Sequence, residues 1–321
     1  MTRKKTDKGN SKTSIKWLKV WQRDGKQGDY IQKESSDDII IPIMGPTGVG
    51  KSSFINAVTG RADATVGHEL KSCTRDLQAV KMPMPLDFAE KYPRLSSRNI
   101  VLVDTPGFDD TYADDSEILR RISLWLASCY AHDVTVGGIV YMGDIAQKRM
   151  YGSTRTNLEM FEKLCGLKSY RHVVLVTTQW DTIQQKVGEA REQELRSTFW
   201  KEFIDRGATT FRATSYPGNL DGHHQILKHV IDCVDRRAYV ADALLIQREF
   251  VEESKRIPLT EAGQKLKYTL EELLRIQQEA AADPYNDSRR AELDKKLQET
   301  KKQILSLKVT LSDRLKRWFG I

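Results

Sequence analysis

The chain has 321 residues, 30% charged and 39% apolar, which suffices for one sizeable core with an accessory region or for two modest domains. No stretch reaches the ~18 apolar residues that a membrane-crossing helix needs, and the basic opening lacks the apolar run of a secretory leader, so a cytoplasmic setting is expected. The net charge of +7 is uneven: residues 1–38 carry 10 basic and 6 acidic groups, residues 39–236 carry 24 of each, and residues 237–321 carry 17 and 14. A neutral middle argues against a nucleic-acid-binding body. The four cysteines lie far apart with no C-x-x-C pair, which suggests neither a disulfide framework nor a zinc site.

Residues 1–38 form a basic arm. Its first 14 residues are polar and aperiodic, the pattern of disorder, and Trp17 and Trp21, four apart, would share a helical face. From Ile39 short apolar runs (39–44, 77–82, 100–104, 136–142, 173–177 and 210–213) alternate with helical patterns (115–130, 158–164, 189–204 and 225–240). That alternation predicts an α/β fold over residues 39–237, a three-layer sandwich on a mostly parallel, six-stranded sheet. Pro42 falls inside the first run, where it removes a ladder N–H, so a local bulge is expected. Residues 238–321 lose the strand pattern. Leu259, Leu266, Leu273 and Ala280 repeat at seven, Asp283-Pro284 interrupts, and leucines resume from Leu293, which fits a helical hairpin or coiled coil and equally two helices packed on the preceding domain.

Gly45-Pro46-Thr47-Gly48-Val49-Gly50-Lys51-Ser52 matches G-x-x-x-x-G-K-S between a strand pattern and a helical one. Glycines let backbone N–H groups converge on phosphate oxygens, and the helix adds its positive end. Lys51 would reach the outer phosphates, Ser52 would bind Mg²⁺, and Ser53 completes the candidate phosphate-binding stretch. Asp104-Thr105-Pro106-Gly107 follows the run NIVLVD, 53 residues past Lys51. Asp104 is placed to hold the Mg²⁺ hydration shell, and the Gly107 N–H to meet a terminal phosphate. Thr178-Gln179-Trp180-Asp181 closes the run VVLVT; the Asp181 carboxylate can accept both N1–H and N2–H of guanine, a donor pair that adenine does not offer.

At this point the sequence resembles the G domain of the translation-factor-related GTPases, whose base-reading motif is Asn/Thr-Lys-x-Asp, with Gln179 here in place of the lysine. The resemblance implies GTP or GDP with Mg²⁺ as ligands, Thr214 and Ser215 in the last base-contacting loop, and a switch threonine that reaches Mg²⁺ and the γ-phosphate. Thr74 is the choice for that threonine and Thr65 the runner-up. Catalytic roles fall to Lys51, Thr74 and Gly107, and metal binding to Ser52, Thr74 and Asp104. Phe108 stands where Ras-like members carry a water-orienting Gln, which implies slow hydrolysis unless His68, Arg75 or a second molecule supplies that function. GPTGVGKSSFIN, the Ser72-Cys73-Thr74 stretch, DTPGFDD and TTQWD resemble the septin/GIMAP-like branch, closest to fungal G domain-containing proteins with a C-terminal helical extension. The loop Met142-Gly143-Asp144-Ile145 departs from that pattern, and no role is transferred to it. The branch implies a homodimer or higher oligomer formed through the G domain, often at membranes. Two expectations follow: a slow GTP-hydrolysing switch, or a nucleotide-bound assembly scaffold. The tail LSDRLKRWFGI combines Leu311, Leu315, Trp318 and Phe319 with Arg314, Lys316 and Arg317, a composition suited to an anionic membrane surface and equally to docking on the chain's own core.

Overall fold

The computed structural model describes residues 38–60, 77–108, 115–131, 134–150, 152–214, 221–236, 243–282 and 290–308. Strand β1 (Asp38–Met44) leads through a turn into helix α1 (Lys51–Thr59). Strand β2 (Gln78–Pro83), helix α2 (Leu86–Lys91) and strand β3 (Asn99–Asp104) follow. Helix α3 (Asp115–Ala131), strands β4 (Thr135–Val136) and β5 (Ile139–Asp144), helix α4 (Gly152–Cys165) and strand β6 (Val173–Thr178) make up the middle. After α5 (Gln185–Glu194), a π-helical turn (Leu195–Phe199) and α6 (Lys201–Asp205), strand β7 (Thr209–Arg212) and helix α7 (Asp221–Arg236) complete the α/β part.

The sheet order is β2-β3-β1-β5-β6-β7, with β4 beside β1. All pairings are parallel except β2 with β3. β4 and β5 both pair with β1, at Ile39–Ile40 and at Ile43–Met44, so they are two pieces of one position and the sheet is six strands wide. The interruption is the counterpart of Pro42. Alternate residues of a strand address the same neighbour; the Ile40 carbonyl accepts from Gly137 N at 2.8 Å, so the missing N–H of Pro42 also points at this strand. Gly137 and Gly138 break the partner there, while the register with β3 runs unbroken through Pro42↔Val103. The expected disturbance therefore lies opposite the proline instead of forming a bulge within β1.

The two faces of the sheet build separate halves of the core. Ile39, Ile41, Ile43, Ile100 and Leu102 pack with Phe54, Phe88 and the inner face of α7. Ile40, Met44, Val101 and Val103 pack with α3 and α4. This strict alternation along β1 and β3, covered on both sides, is the three-layer arrangement of a parallel sheet. Helices α9 (Glu261–Ala282) and α10 (Arg290–Lys308), reached through the short helix α8 (Leu245–Gln247), contact each other. They also lie against α3, and α9 against α4. Leu266, Leu270 and Ile304 join the α3/α4 half of the core, so this pair is packed on the preceding domain. No described helix is long and apolar enough to cross a membrane.

Candidate functional site

The site gathers at the carboxyl ends of β1, β3, β5 and β6, where strand order turns outward on either side of β1, the place an open α/β sheet leaves for a ligand. At Gly45 the chain leaves β1 with φ +135, and a Cβ there would lie 2.2 Å from the Met142 carbonyl oxygen. Only glycine allows this approach to β5. Gly50, at φ +90, turns the loop into α1. The first turn of α1 holds no acidic side chain, so its N-terminal end keeps the positive character that suits phosphate.

Lys51 is buried, 6% exposed, and its Nζ donates to the carbonyls of Gly45 at 3.0 Å and Pro46 at 2.8 Å. The ammonium is thus held against the carbonyls at the start of the loop. Ser52 Oγ donates to Asp104 Oδ2 at 2.5 Å, and Asp104 is fully buried. A hydroxyl and a carboxylate brought together from two elements are hard oxygen donors and fit Mg²⁺, which binds few protein oxygens alongside phosphate. Thr105 ties this strand end to its neighbour: its Oγ1 donates to the Ile43 carbonyl at 2.9 Å. Gly107 is buried beside it. Phe108 is 7% exposed and belongs to the α3/α4 half of the core.

A cavity of about 210 Å³ opens next to the loop, walled by Gly50 of the loop, by Ser53 and Phe54 from α1 and by Thr178, Asp181 and Thr214 from the tips of β6 and β7. Thr178 Oγ1 donates to the Val49 carbonyl at 2.9 Å, binding the tip of β6 to the phosphate loop. Gln179 takes a left-handed backbone, φ 60 and ψ 32, unusual for a residue with a Cβ. Trp180 is 6% exposed, donates Nε1–H to Thr177 Oγ1 at 3.0 Å and is covered by the Arg212 guanidinium, 4.2 Å from the ring centroid. Arg212 in turn pairs with Glu192. This anchoring turns Trp180 inward and leaves Asp181 exposed at the cavity. His223, from the first turn of α7, also lines it. The sequence motifs gave no sign of His223; its placement depends on how α7 crosses the end of β7.

The structure therefore brings together Gly45 to Ser53, Asp104, Gly107, Thr178, Asp181 and Thr214. Thr74 and Ser215, like Thr65, His68 and Arg75, lie outside the described residues.

Residues 40–194 match the model of the family described as 50S ribosome-binding GTPase. Over this stretch, which holds the phosphate loop, Asp104 and Asp181 and makes up just under half of the 321 residues, the chain is similar to that family. It is 23% identical over 213 residues to GTP-binding protein A of Dictyostelium discoideum, covering 61% of this chain and 43% of that protein. It is 24% identical over 251 residues to GTPase Der of Cronobacter sakazakii, covering 76% of this chain and 46% of that protein. The chain spans less than half the length of these curated relatives. Among solved structures, one described as "Dimerization is important for the GTPase activity of chloroplast translocon components atToc33 and psToc159" aligns with a TM-score of 0.50 at 15% identity, over 76% of this chain and 99% of that one. Toc33 from Arabidopsis thaliana with Mg²⁺ and GMPPNP aligns with a TM-score of 0.48 at 16% identity, over 72% of this chain and 95% of that one. At these identities the likeness concerns the fold alone.

Proposed function

We propose that this G domain is a guanine-nucleotide switch that hydrolyses GTP slowly, needs Mg²⁺ and is regulated by pairing of G domains. The observation that supports this is the Ser52–Asp104 contact at 2.5 Å beside the buried Lys51, a hydroxyl, a carboxylate and a cation at one helix start, the groups that Mg²⁺ and phosphate would need. Lys51 would neutralise the outer phosphates, Ser52 and Asp104 would hold Mg²⁺ with Thr74, and Asp181 would select guanine. When bound, the metal supplies charge neutralisation at the phosphates. Slow turnover is supported by the burial of Phe108 in the core, which leaves that position without a water-orienting group.

Dimerisation is supported by the importance of dimerisation for the GTPase activity of atToc33 and psToc159 and by the motif resemblance to the septin/GIMAP-like branch. Within that reading α9 and α10, packed together on α3, transmit the nucleotide state, and the basic ends offer a peripheral membrane contact in the cytoplasm. The burial of Phe108 also favours a second reading, a nucleotide-bound scaffold with negligible hydrolysis. Identifying the copurifying nucleotide after denaturation tests the base, with GDP or GTP expected and ATP overturning the assignment. Single-turnover GTP hydrolysis across a range of protein concentrations separates the two readings. A rate that rises with concentration supports the switch; no turnover at any concentration supports the scaffold.

A further inference from the structure

His223 is 8% exposed, and its ring packs against Phe54 with centroids 5.4 Å apart. No hydrogen bond joins its ring nitrogens to another described residue, and the ring faces the cavity beside Thr178, Asp181 and Thr214. The placement is enforced by the start of α7. A Cβ on Gly222 would lie 3.2 Å from the Arg212 carbonyl oxygen and 3.5 Å from Thr214 N, so the first turn presses on the end of β7 and delivers the next residue over the cavity. Burial holds the imidazole below its ordinary pKa, so near pH 7 the ring is neutral, with one N–H donor and one acceptor. A buried polar group aimed into a ligand cavity without a protein partner points to a ligand.

The chemistry of guanine indicates which edge it meets. Asp181 takes the N1–H and N2–H donors, and the remaining polar edge, O6 and N7, carries acceptors only. That edge needs donors from the cavity wall. Three buried cavity side chains carry a polar hydrogen: Thr178, Trp180 and His223. The Thr178 proton goes to the Val49 carbonyl and the Trp180 N–H to Thr177 Oγ1. The Ala213 N–H is also committed, to the Thr177 carbonyl at 2.8 Å.

We propose that the His223 ring N–H donates to the O6/N7 edge of bound guanine and so takes part in selecting the base. The proposal rests on the assignment of this cavity to guanine.

Equilibrium binding of GDP, 7-deaza-GDP and 6-thio-GDP to the full chain tests it. The two analogues keep N1–H and N2–H while removing or weakening the N7 or O6 acceptor. Wild type should bind at least one of them about tenfold more weakly than GDP, the effect of one lost hydrogen bond. His223→Phe, which keeps the ring contact with Phe54, should bind GDP about tenfold more weakly and no longer discriminate against that analogue. If neither analogue weakens the wild type, the proposal falls whatever the variant does. Equal analogue penalties in wild type and a folded His223→Phe also overturn it and leave the guanine assignment standing. Wild type that binds ADP and not GDP overturns both.

Discussion

The Ser52 hydroxyl and the Asp104 carboxylate meet at 2.5 Å although 52 positions separate them. The contact exists because β1 and β3 pair in parallel, with Ile43 opposite Asp104, so the loop leaving one strand faces the tip of the other. Replacing Asp104 by Asn keeps the shape and removes the charge that a divalent cation needs. Asp104→Asn should therefore lose most of the Mg²⁺ dependence of nucleotide affinity. The check is a titration of fluorescent GDP with Mg²⁺ and with a chelator; an unchanged ratio between the two conditions would remove Asp104 from the metal site.

Lys51 makes two hydrogen bonds to carbonyls of its own loop, at 3.0 and 2.8 Å. A charge-assisted bond to phosphate contributes about 1.5–3 kcal/mol, so Lys51→Ala should weaken GDP binding roughly 10- to 100-fold. Calorimetric titration measures the loss. Affinity within twofold of wild type would contradict the placement of this ammonium at the phosphates.

Gly45 tests the loop from its backbone. With φ +135 and a built Cβ 2.2 Å from the Met142 carbonyl oxygen, Gly45→Ala combines left-handed strain with a clash against β5. Together these should destabilise the domain by about 2–4 kcal/mol and abolish nucleotide binding. Thermal unfolding provides the readout, and a melting point equal to wild type would mean that the loop shifts without penalty.

Much of this site was legible because its chemistry is local. Gly45 to Ser52, Asp104-Thr105-Pro106-Gly107 and Asp181 sit in contiguous strings whose spacing singles them out as candidates. What the sequence did not reveal depends on packing across elements. Pro42 signalled a lost N–H, yet nothing along the chain said that the partner strand would break at Gly137 and Gly138. Residues 189–204 read as one helix, whereas the π-helical turn at Leu195–Phe199 interrupts it. The Trp200 N–H bonds the Leu195 carbonyl at 2.7 Å, and this wider turn lets Trp200 and Phe203 both point inward, 1% and 0% exposed. The backbone of Gln179 and the approach of His223 to the cavity likewise follow from tertiary contacts that no motif encodes.

Phe108 separates a positional analogy from a physical one. Its place directly after Gly107 suggests that a glutamine there would restore fast hydrolysis. The ring, however, is packed in the α3/α4 half of the core, so Phe108→Gln would bury an amide without partners. The variant should lose about 3 kcal/mol of stability with no gain in single-turnover rate. A faster rate with wild-type melting would show that this side chain reaches the phosphates.

Glu162, on α4, is half-buried, and burial together with the nearby Glu159 and Glu202 carboxylates raises its pKa to about 7, against the opposing pull of Lys163 and Lys265. Because the native state holds this proton more tightly than the unfolded chain, its contribution to stability is complete below the ordinary carboxylate pKa of about 4.5 and is lost as pH rises through about 7. In Glu162→Gln the side chain stays neutral at every pH, so the ionisation penalty of wild type disappears. The variant should melt above wild type at pH 8.5 and alongside it at pH 5. Thermal unfolding of both proteins across that range decides: a difference that does not vary with pH would show that Glu162 is solvated like a surface carboxylate.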